Sequence, residues 1–365
     1  MSWRSISLGA VLPFKYGKGL PARNRTESGE YSVVSSAGHT GSHNVPLTSG
    51  PSVVIGRKGT IGATYFCEQP VWPIDTTFFV EASDEVEIRF AYYLLQSLPL
   101  KAMNNDSAVP GLNRVHAESL QVLLPPLEEQ RAIAATLGAL DDKIESNRRV
   151  VATISDLLDA ISESNGADLP NVPLGDIATS IKDSVNPLKL GDAPVDHFSL
   201  PAFDSGARPE RVGAASIKSN KLRVPKSAIL ISRLNPRFNR TWWASAEAET
   251  SALASTEFLV LTSEDALELA AVWLAVRDPF FREELPKRVT GTSGSHQRVR
   301  PDDLLTINVP DFRGAAPEVK QTTLGLLMRS ESLRIESDRL TSLRDALLPE
   351  LLSGHIRVPV SEVAV

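Results

Sequence analysis

Five short segments of the chain occur twice in the same order, and this internal repeat constrains the fold more than any other feature. Leu8-Gly9 recurs as Leu174-Gly175, an offset of 166 residues, and Lys143–Arg148 recurs as Arg334–Arg339, an offset of 191. The three matches between them pair 53–57 with 229–233, 77–80 with 257–260, and 120–125 with 305–310. A steadily growing offset is expected when a second copy carries loop insertions. The sequence therefore predicts two tandem copies of one fold.

Each copy begins with a mixed region of short apolar runs that are broken by Gly, Pro, Ser and Asn. Three runs rich in β-branched and aromatic residues predict strands in the first copy: Val53–Gly56, Ala63–Cys67 and Thr77–Val80. The glycines of the Gly-Arg-Lys-Gly stretch at 56–59 predict a turn between the first two strands. A helix is predicted over Ile88–Ser97, with a counterpart over Ala266–Val276 in the second copy.

A long helix follows the mixed region of the first copy. It is predicted to begin at Pro125-Pro126 and to end at Asn165-Gly166. Its apolar positions alternate in steps of four and three, with one gap at Asn147, and they are Ile133, Leu137, Leu140, Ile144, Val151, Ile154, Leu158 and Ile161. This heptad spacing is typical of coiled coils. The helix therefore needs a partner helix, which the repeat supplies.

The second copy ends in a comparable helix over about 317–353, before Gly354. Its apolar stripe is less regular and consists of Leu333, Leu340, Leu343, Leu347 and Leu351. Pro349 lies in the last turns, so we expect a kink or a break there. Asp338 corresponds to Asn147 of the first helix, and polar residues at such positions commonly fix the register of a helix pair.

These elements predict an α+β fold with two tandem mixed α/β domains separated by two long helices that form a coiled coil. The predicted boundaries place the first domain at 1–125, the first helix at 126–165, the second domain at 166–314, the second helix at 315–355 and a tail at 356–365.

The charge distribution decides which partners are plausible. The net charge is −6, so any binding of nucleic acid has to depend on local patches. Between Arg208 and Arg240 there are nine Lys or Arg residues and one acid, Glu210, whereas 126–165 contains four bases and eight acids. The single cysteine, Cys67, excludes internal disulfides and fits a reducing cytoplasm. We expect neither a signal peptide nor a membrane-spanning helix, because no apolar run is long enough.

Several enzyme motifs are absent or incomplete, so we expect no catalytic residue and no metal site. The Asn235–Phe238 stretch resembles the Asn-Pro-Pro-aromatic motif of adenine methyltransferases but lacks the second proline. No phosphate-binding Gly-x-x-x-x-Gly-Lys-Ser/Thr stretch is present. His39 and His43 lie in a Gly/Ser-rich loop without a nearby cysteine or carboxylate, which is unfavourable for a metal site.

Four motifs resemble the specificity subunits of type I restriction–modification systems, and the resemblance extends over essentially the whole chain. They are VLLPPLEEQ at Val122–Gln130 with the helix that contains LDDKIESNR at Leu140–Arg148, LRDALLPELLSG at Leu343–Gly354, VIGRKGTIG at Val54–Gly62, and GLNR at Gly111–Arg114. In the second copy, Arg233–Phe238 replaces the glycine-rich turn, and Gly291–His296 stands near the position of GLNR. We therefore expect the two copies to differ in half-site chemistry.

The resemblance implies two target recognition domains that each read half of a split site in double-stranded DNA. It also implies that the two helices pair as an antiparallel spacer, which docks two modification (methyltransferase) subunits and, through the complex, restriction (motor and nuclease) subunits. The chain itself is then a non-catalytic cytoplasmic subunit without a cofactor. S-adenosylmethionine, ATP and Mg²⁺ are expected on the partner subunits.

The candidate DNA contacts are basic residues in loops, with the Asn and His residues that lie among them. They are Arg23, Arg25, Arg57, Lys58, Asn113, Arg114, Arg233, Asn235, Arg237, Asn239, Arg240, Lys287, Arg288, His296, Arg298 and Arg300. Glycine beside a basic residue lets the backbone approach a phosphate or a base edge closely. Trp242-Trp243 could stack on bases, but we expect them to pack in the core.

The candidate subunit interface is the apolar stripe of both helices, namely Leu137, Leu140, Ile144, Val151, Ile154, Leu333, Leu340 and Leu347. On this basis, charged residues at Leu140 and Ile144 should abolish binding of the modification subunit. An insertion of four residues near Ser155 should lengthen the gap between the half-sites. Two alternatives remain open at this point: a self-contained DNA methyltransferase or nuclease, and a coiled-coil adaptor that does not bind DNA.

Overall fold

A computed structural model of the chain describes residues 3–103, 111–246, 250–290 and 297–359. In the first copy the strands are β1 Arg4–Ser7, β2 Lys15–Tyr16, β3 Tyr31–Ser35, β4 Gly38–His43, β5 Ser52–Gly56, β6 Thr64–Cys67, β7 Trp72–Pro73, β8 Thr77–Glu81 and β9 Gln121–Leu124. The helices of this copy are α1 Leu8–Val11, α2 Ile88–Ser97, α3 Arg114–Glu118 and α4 Leu127–Gly166. The predicted helix over 88–97 and the first long helix are thus confirmed.

The second copy has more strands than the first. They are β10 Asn171–Pro173, β11 Thr179–Ile181, β12 Ser184–Val185, β13 Pro194–Phe198, β14 Glu210–Gly213, β15 Lys221–Arg223, β16 Ser227–Ser232, β17 Thr241–Ser245, β18 Ser251–Ser255, β19 Phe258–Thr262, β20 Val289–Thr290, β21 Arg298–Val299 and β22 Asn308–Pro310. Its helices are α5 Leu200–Asp204, α6 Ala266–Arg277, α7 Pro279–Glu284, α8 Pro301–Leu305 and α9 Pro317–Ser353.

The sheets confirm that the chain is a tandem duplication. A four-stranded antiparallel sheet has the order β2-β8-β5-β6 in the first copy and β11-β19-β16-β17 in the second. The middle strands are those of the repeat, and β5 pairs antiparallel with β8 as β16 pairs antiparallel with β19. A second sheet contains one parallel pair in each copy, β3 with β7 and β13 with β18. The two copies therefore share the order of the four-stranded sheet, whereas the second sheet has three strands in the first copy and five in the second.

The chain divides into two compact units, and both boundaries fall inside the long helices. The first unit comprises residues 1–145 and 337–365, and the second comprises residues 146–336. Each unit therefore combines the mixed domain of one copy with a segment of both long helices. Within the described residues, no helix is long and apolar enough to cross a membrane.

The first unit is closed by its own terminal segments. Strand β1 pairs antiparallel with β9, directly before the long helix. The indole Nε1 of Trp3 donates to Glu129 at 2.9 Å, and the guanidinium of Arg357 pairs with the same carboxylate and lies over the Trp3 ring. Leu351 and Leu352 of α9 are buried in the core that α2 also supplies. Burial of this apolar surface and the Glu129 ion pair together anchor the end of α9 in this unit.

The core of the second unit is built around α6. Residues Leu269–Val276 of this helix are buried on every side, as expected for a helix without a polar face. Ile229, Trp243 and Leu259 of the antiparallel sheet pack in the same cluster. The cluster also contains Ile154 and Leu158 of α4, so the heptad positions of the long helix contribute to the core of this unit.

The two long helices run antiparallel. Within the first unit, Asp141 of α4 accepts a hydrogen bond from Arg344 of α9 at 2.7 Å, whereas Glu129, twelve residues earlier, pairs with Arg357 beyond the end of α9. Within the second unit, the Asn147 amide donates to the Leu333 carbonyl and to the Glu336 carboxylate at 2.9 Å. As the residue number rises along α4, the partner number falls along α9. The predicted antiparallel arrangement is therefore confirmed.

The break expected at Pro349 is not present, because α9 continues through it to Ser353. Proline removes one backbone donor and normally disrupts a helix interior. Here only one turn follows Pro349, and Leu351 and Leu352 of that turn are buried. Apolar packing within the first unit therefore holds the turn in a helical conformation.

The predicted interface residues are in large part internal to the chain. Leu137, Ile144, Ile154 and Leu333 are buried, and the half-buried members of the set are Leu140, Val151, Leu340 and Leu347. Other apolar side chains of the helices lie at the surface, namely Val150, Leu157, Met328 and Leu343, with exposed fractions between 41% and 56%. A partner can therefore reach these four exposed residues more easily than the interface residues predicted from the sequence.

Asn147 provides a test of the register of the helix pair. It occupies a heptad position that is normally apolar, and it is only 1% exposed. Replacing Asn147 by alanine removes a hydrogen bond to a carboxylate, so we expect a loss of about 1.5–3 kcal/mol in the free energy of unfolding. Urea denaturation monitored by circular dichroism measures this loss. The exposed neighbour Ser146 serves as the control, and its replacement by alanine should change the free energy by less than ~0.5 kcal/mol.

Candidate nucleic-acid interface

The turn after β5 is closed by an arginine that binds the main chain. The Arg57 N–H donates to the Thr76 carbonyl at 2.9 Å, and its guanidinium Nη2 donates to the Asp75 carbonyl at 2.6 Å. The Arg57 carbonyl in turn accepts from the N–H of Leu112 at 2.9 Å. Arg57 thus joins the GRKG turn to the GLNR segment, two motifs that lie far apart in the sequence.

The second copy contains the same arrangement around Arg233, which follows β16. The Arg233 N–H donates to the Glu257 carbonyl, and its guanidinium Nη2 donates to the Thr256 carbonyl. The Arg233 carbonyl accepts from the N–H of Val299 at 3.0 Å. The two arginines therefore occupy equivalent positions, although the surrounding loops differ in sequence.

An exposed tyrosine lies between two guanidinium groups in the first copy. Tyr16 is 54% exposed, and its ring centroid lies 5.4 Å from the guanidinium of Arg57 and 5.8 Å from that of Arg114. Arg114 also pairs with Glu118, and Asn113 caps α3 by accepting from the N–H of His116. Lys58 at the tip of the turn is exposed. The structure thus brings together Arg57, Lys58, Asn113 and Arg114, and we call them with Tyr16 the first cluster.

Arg23 and Arg25 differ in their surroundings. Arg25 donates three hydrogen bonds to the carbonyls of Leu20 and Thr40 and a fourth to the Thr40 hydroxyl. It therefore organises the loop in which it lies. Arg23 is exposed in the short turn Ala22–Asn24 and has a charge that can reach a partner.

In the second copy, an exposed phenylalanine of the loop after β16 also lies beside two guanidinium groups. Phe238 is 55% exposed, and the guanidinium groups of Arg237 and Arg240 lie 4.8 and 4.9 Å from its ring centroid. Asn235 and Asn239 flank the turn Pro236–Phe238 and both have positive φ, 48° and 42°, a conformation that Asn tolerates better than most residues. The two asparagines therefore shape the loop.

Arg240 is largely neutralised within the chain. Its guanidinium makes a bidentate pair with Asp204 at 2.7 and 2.9 Å, and its side chain is 15% exposed. The hydrogen bond from Arg240 holds the pKa of Asp204 below its usual value. Arg237 is exposed beside it. The two predicted contacts thus differ in the charge that they present to solvent.

The remaining basic residues of the second copy lie around the same loop. Arg298 pairs with Glu257 through two hydrogen bonds, and burial together with the charge of Arg298 lowers the pKa of Arg233. Lys287 and Arg288 both pair with Glu284, on a turn that packs against 236–238. Arg300 is exposed next to Arg298. We call Arg233, Arg237, Phe238, Arg240, Lys287, Arg288, Arg298 and Arg300 the second cluster.

One candidate DNA contact and the two candidate stacking residues are not part of the two clusters. His296 lies outside the described residues. Trp242 and Trp243 are 2% and 3% exposed, so they pack in the core as expected and cannot stack on bases. Among the residues that the structure describes, no group of three His, Cys, Asp or Glu side chains could hold a metal ion.

The two exposed aromatic residues of the clusters, Tyr16 and Phe238, were not predicted from the sequence. Tyr16 stands between Lys15 and Lys18, and Phe238 directly follows Arg237. An aromatic residue interleaved with basic residues in a Gly- or Pro-containing stretch is the signal that could have identified both. Aromatic rings and guanidinium planes are the groups that stack on bases, and basic side chains bind phosphates. The two clusters can therefore contact nucleic acid.

The fold defines a class of protein, namely a tandem two-domain chain with two long helices. Comparison with solved structures finds a chain of the same fold. The S subunit of the type I restriction–modification system from M. genitalium has a similar fold, with a TM-score of 0.67 at 16% sequence identity over 96% of both chains. The HsdS subunit from Thermoanaerobacter tengcongensis aligns over 97% of both chains at 17% identity, with a TM-score of 0.34. No curated protein matches the sequence.

A family model matches the sequence of the first copy and most of the first long helix. Residues 2–155 match the model of the type I restriction modification DNA specificity domain. The second copy lies outside this match, but it repeats the strand order of the four-stranded sheet.

Arg237 and Arg240 provide a matched pair for testing the second cluster. Replacing Arg237 by glutamine should lower the slope of log K against log salt by ~0.9, since each neutralised phosphate releases condensed counterions. The corresponding Arg240 variant should leave the slope unchanged, because Asp204 already compensates its charge. Fluorescence anisotropy with labelled DNA at several salt concentrations measures both slopes. Equal reductions in the two variants would contradict this assignment.

Proposed function

We propose that this chain is the DNA specificity subunit of a type I restriction–modification complex. It reads a split site in double-stranded DNA, with one recognition domain for each half-site. The observation that carries the proposal is the match of residues 2–155 to the DNA specificity domain family. The repeated sheet topology extends the proposal to the second copy.

In this proposal the first and second clusters face the DNA. Lys58, Arg23 and Arg237 are exposed cations that suit phosphate contacts, which position a protein on the duplex. Arg57 and Arg233 join the loops of each cluster and orient them. The different side chains of the two loops then give each domain its own half-site.

The helix pair is proposed to bind two modification subunits, and restriction subunits join through the assembled complex. The exposed apolar residues Val150, Leu157, Met328 and Leu343 favour such docking, since the buried apolar residues are already used within the chain. The chain is proposed to catalyse no reaction and to need no cofactor. S-adenosylmethionine, ATP and Mg²⁺ belong in this proposal to the partner subunits.

Two measurements test this function. The chain, purified together with its modification subunit, should bind DNA with an affinity that falls steeply with salt, and it should prefer its own site over a scrambled duplex. A complex that forms but shows no salt-dependent binding would support the coiled-coil adaptor instead. The chain alone, given DNA, Mg²⁺, ATP and S-adenosylmethionine, should neither methylate nor cleave the DNA. Any turnover would support the self-contained enzyme.

A further inference from the structure

A cavity of about 350 Å³ lies within the second unit, and Asn239 at the end of the loop after β16 is among its lining residues. Its walls come from α4, α5, α6, α7, α9 and β17. The polar, charged and aromatic side chains that line it include Ser155, Asp159, Trp273, Arg277, Arg282 and Arg334. The cavity is not used in the DNA reading proposed above, so its role needs a separate account.

The charged side chains that line the cavity are mostly cationic. Among the described lining residues, Arg277, Arg282 and Arg334 are the bases and Asp159 is the acid, which gives a net charge of +2. These side chains are only 11–31% exposed, so water screens their charge less than it would at the surface. Burial lowers the pKa of Arg334. A site with this balance attracts an anion.

The guanidinium groups are held in fixed positions. Asp159 pairs with both Arg277 and Arg282, and Arg277 also donates to the Ser155 hydroxyl at 2.9 Å and lies over the Trp273 ring. The guanidinium of Arg334 lies 3.9 Å from the carboxylate of Glu331. Glu331 also pairs with Arg208 at 3.6 Å. A binding site whose donors are already oriented loses less conformational entropy when a ligand binds.

The surroundings of the cavity contain more donors than acceptors. The indole N–H groups of Trp243 and Trp273 and the Nε–H of Arg282 are buried and find no hydrogen-bond acceptor among the described residues. Buried donors are normally paired. An acceptor-rich ligand fits this environment better than a donor-rich one.

We propose that the cavity binds a small organic molecule that carries a phosphate or carboxylate group. The oxyanion contacts Arg334 and Arg282, and the rest of the molecule lies against Val151, Ile154 and Leu158. A water occupies ~30 Å³ of liquid, so the cavity has room for about ten waters, more than a single inorganic ion needs. The cavity therefore has room for a ligand larger than phosphate itself.

Isothermal titration of the full chain with AMP, malonate and inorganic phosphate, at constant ionic strength, tests the proposal. At least one of the two organic probes should bind saturably at a ratio of one to one and should bind more tightly than phosphate. Quenching of tryptophan fluorescence provides an independent reading, because Trp243 and Trp273 line the cavity. Absence of binding by both organic probes, or equal binding by phosphate, would overturn the proposal.

Matched variants assign any binding to this cavity. Arg334→Gln and Arg282→Gln should each weaken binding at least tenfold, whereas Arg334→Lys should retain part of it. Arg329→Gln, on the exposed side of the same helix, and Arg237→Gln, on the second cluster, should leave it unchanged. If Arg334→Gln does not fold, Arg334→Lys and Arg282→Gln decide the outcome. Unchanged binding in folded Arg282 and Arg334 variants, or its loss in the Arg237 variant, would place the ligand elsewhere and refute the proposal.

Discussion

Replacing Ile144 by glutamate should prevent stable folding of the first unit, even when no partner is present. Ile144 is 3% exposed within the chain, so the variant would bury a carboxylate without a designed partner. Unpaired buried charge is among the few changes that exceed ~4 kcal/mol, a large part of the stability of a typical domain. Thermal and urea unfolding of the purified chain measure this loss. A variant that unfolds like the wild type would mean that Ile144 is not part of the chain's own core.

Leu157 provides the comparison that separates folding from partner binding. It is 46% exposed on α4, so Leu157→Glu should leave the unfolding transition of the isolated chain nearly unchanged. The same variant should lose co-purification with the modification subunit, because an exposed apolar residue of the helix pair would become charged. Leu123→Glu, at a 43% exposed position on β9, is the control and should still co-purify. Retention of the partner by the Leu157 variant would argue against this surface.

Lengthening both helices by one heptad should lengthen the unspecific gap of the DNA site. The insertions belong between Glu145 and Ser146 in α4 and between Glu336 and Ser337 in α9, where the chain divides into its two units. Seven residues add roughly 10.5 Å at ~1.5 Å per residue and preserve the heptad phase. With DNA rising ~3.4 Å per base pair, the gap should grow by about three base pairs. Methylation mapping of the reconstituted complex measures the gap directly.

The insertion site near Ser155 that was predicted from the sequence is unsuitable in the structure. Ser155 accepts hydrogen bonds from Arg277 through both its hydroxyl and its carbonyl, so an insertion there would disturb the second unit. Insertion into α4 alone should also destabilise the chain, because the Asp141–Arg344 and Asn147–Glu336 hydrogen bonds could no longer both form in register. A lengthened double variant that keeps the original gap, or that changes the half-site sequences, would show that the helices do not set the spacing.

The elements with strong local signals were predictable from the sequence. The helix over 88–97 is found with the predicted bounds, and α4 and α9 begin and end within about two residues of the predicted positions. Heptad spacing, prolines at 125 and 126 and glycines at 166 and 354 define these ends. The repeat was recognisable because its strands are continuous apolar runs that are buried on both faces.

The surroundings of individual arginines could not be predicted, because their partners are distant in sequence. Arg240 is compensated by Asp204, which lies on the short helix α5 thirty-six residues earlier. Arg25 lies in a loop, and its role depends on the carbonyl of Thr40 on strand β4. Tyr16 became a candidate only when Arg57 and Arg114 were found beside its ring. A basic composition identifies a charged region, but it does not reveal which charges are already paired.

The most direct test of the two-domain account is to map the methylated sites of the complex for two variants. The complex carrying Phe238→Ala, in the second cluster, should keep one half-site and relax the other. The complex carrying Tyr16→Ala, in the first cluster, should show the opposite pattern, and both should keep the wild-type gap. A continuous site, or two variants that alter the same half, would contradict the assignment of one half-site to each domain.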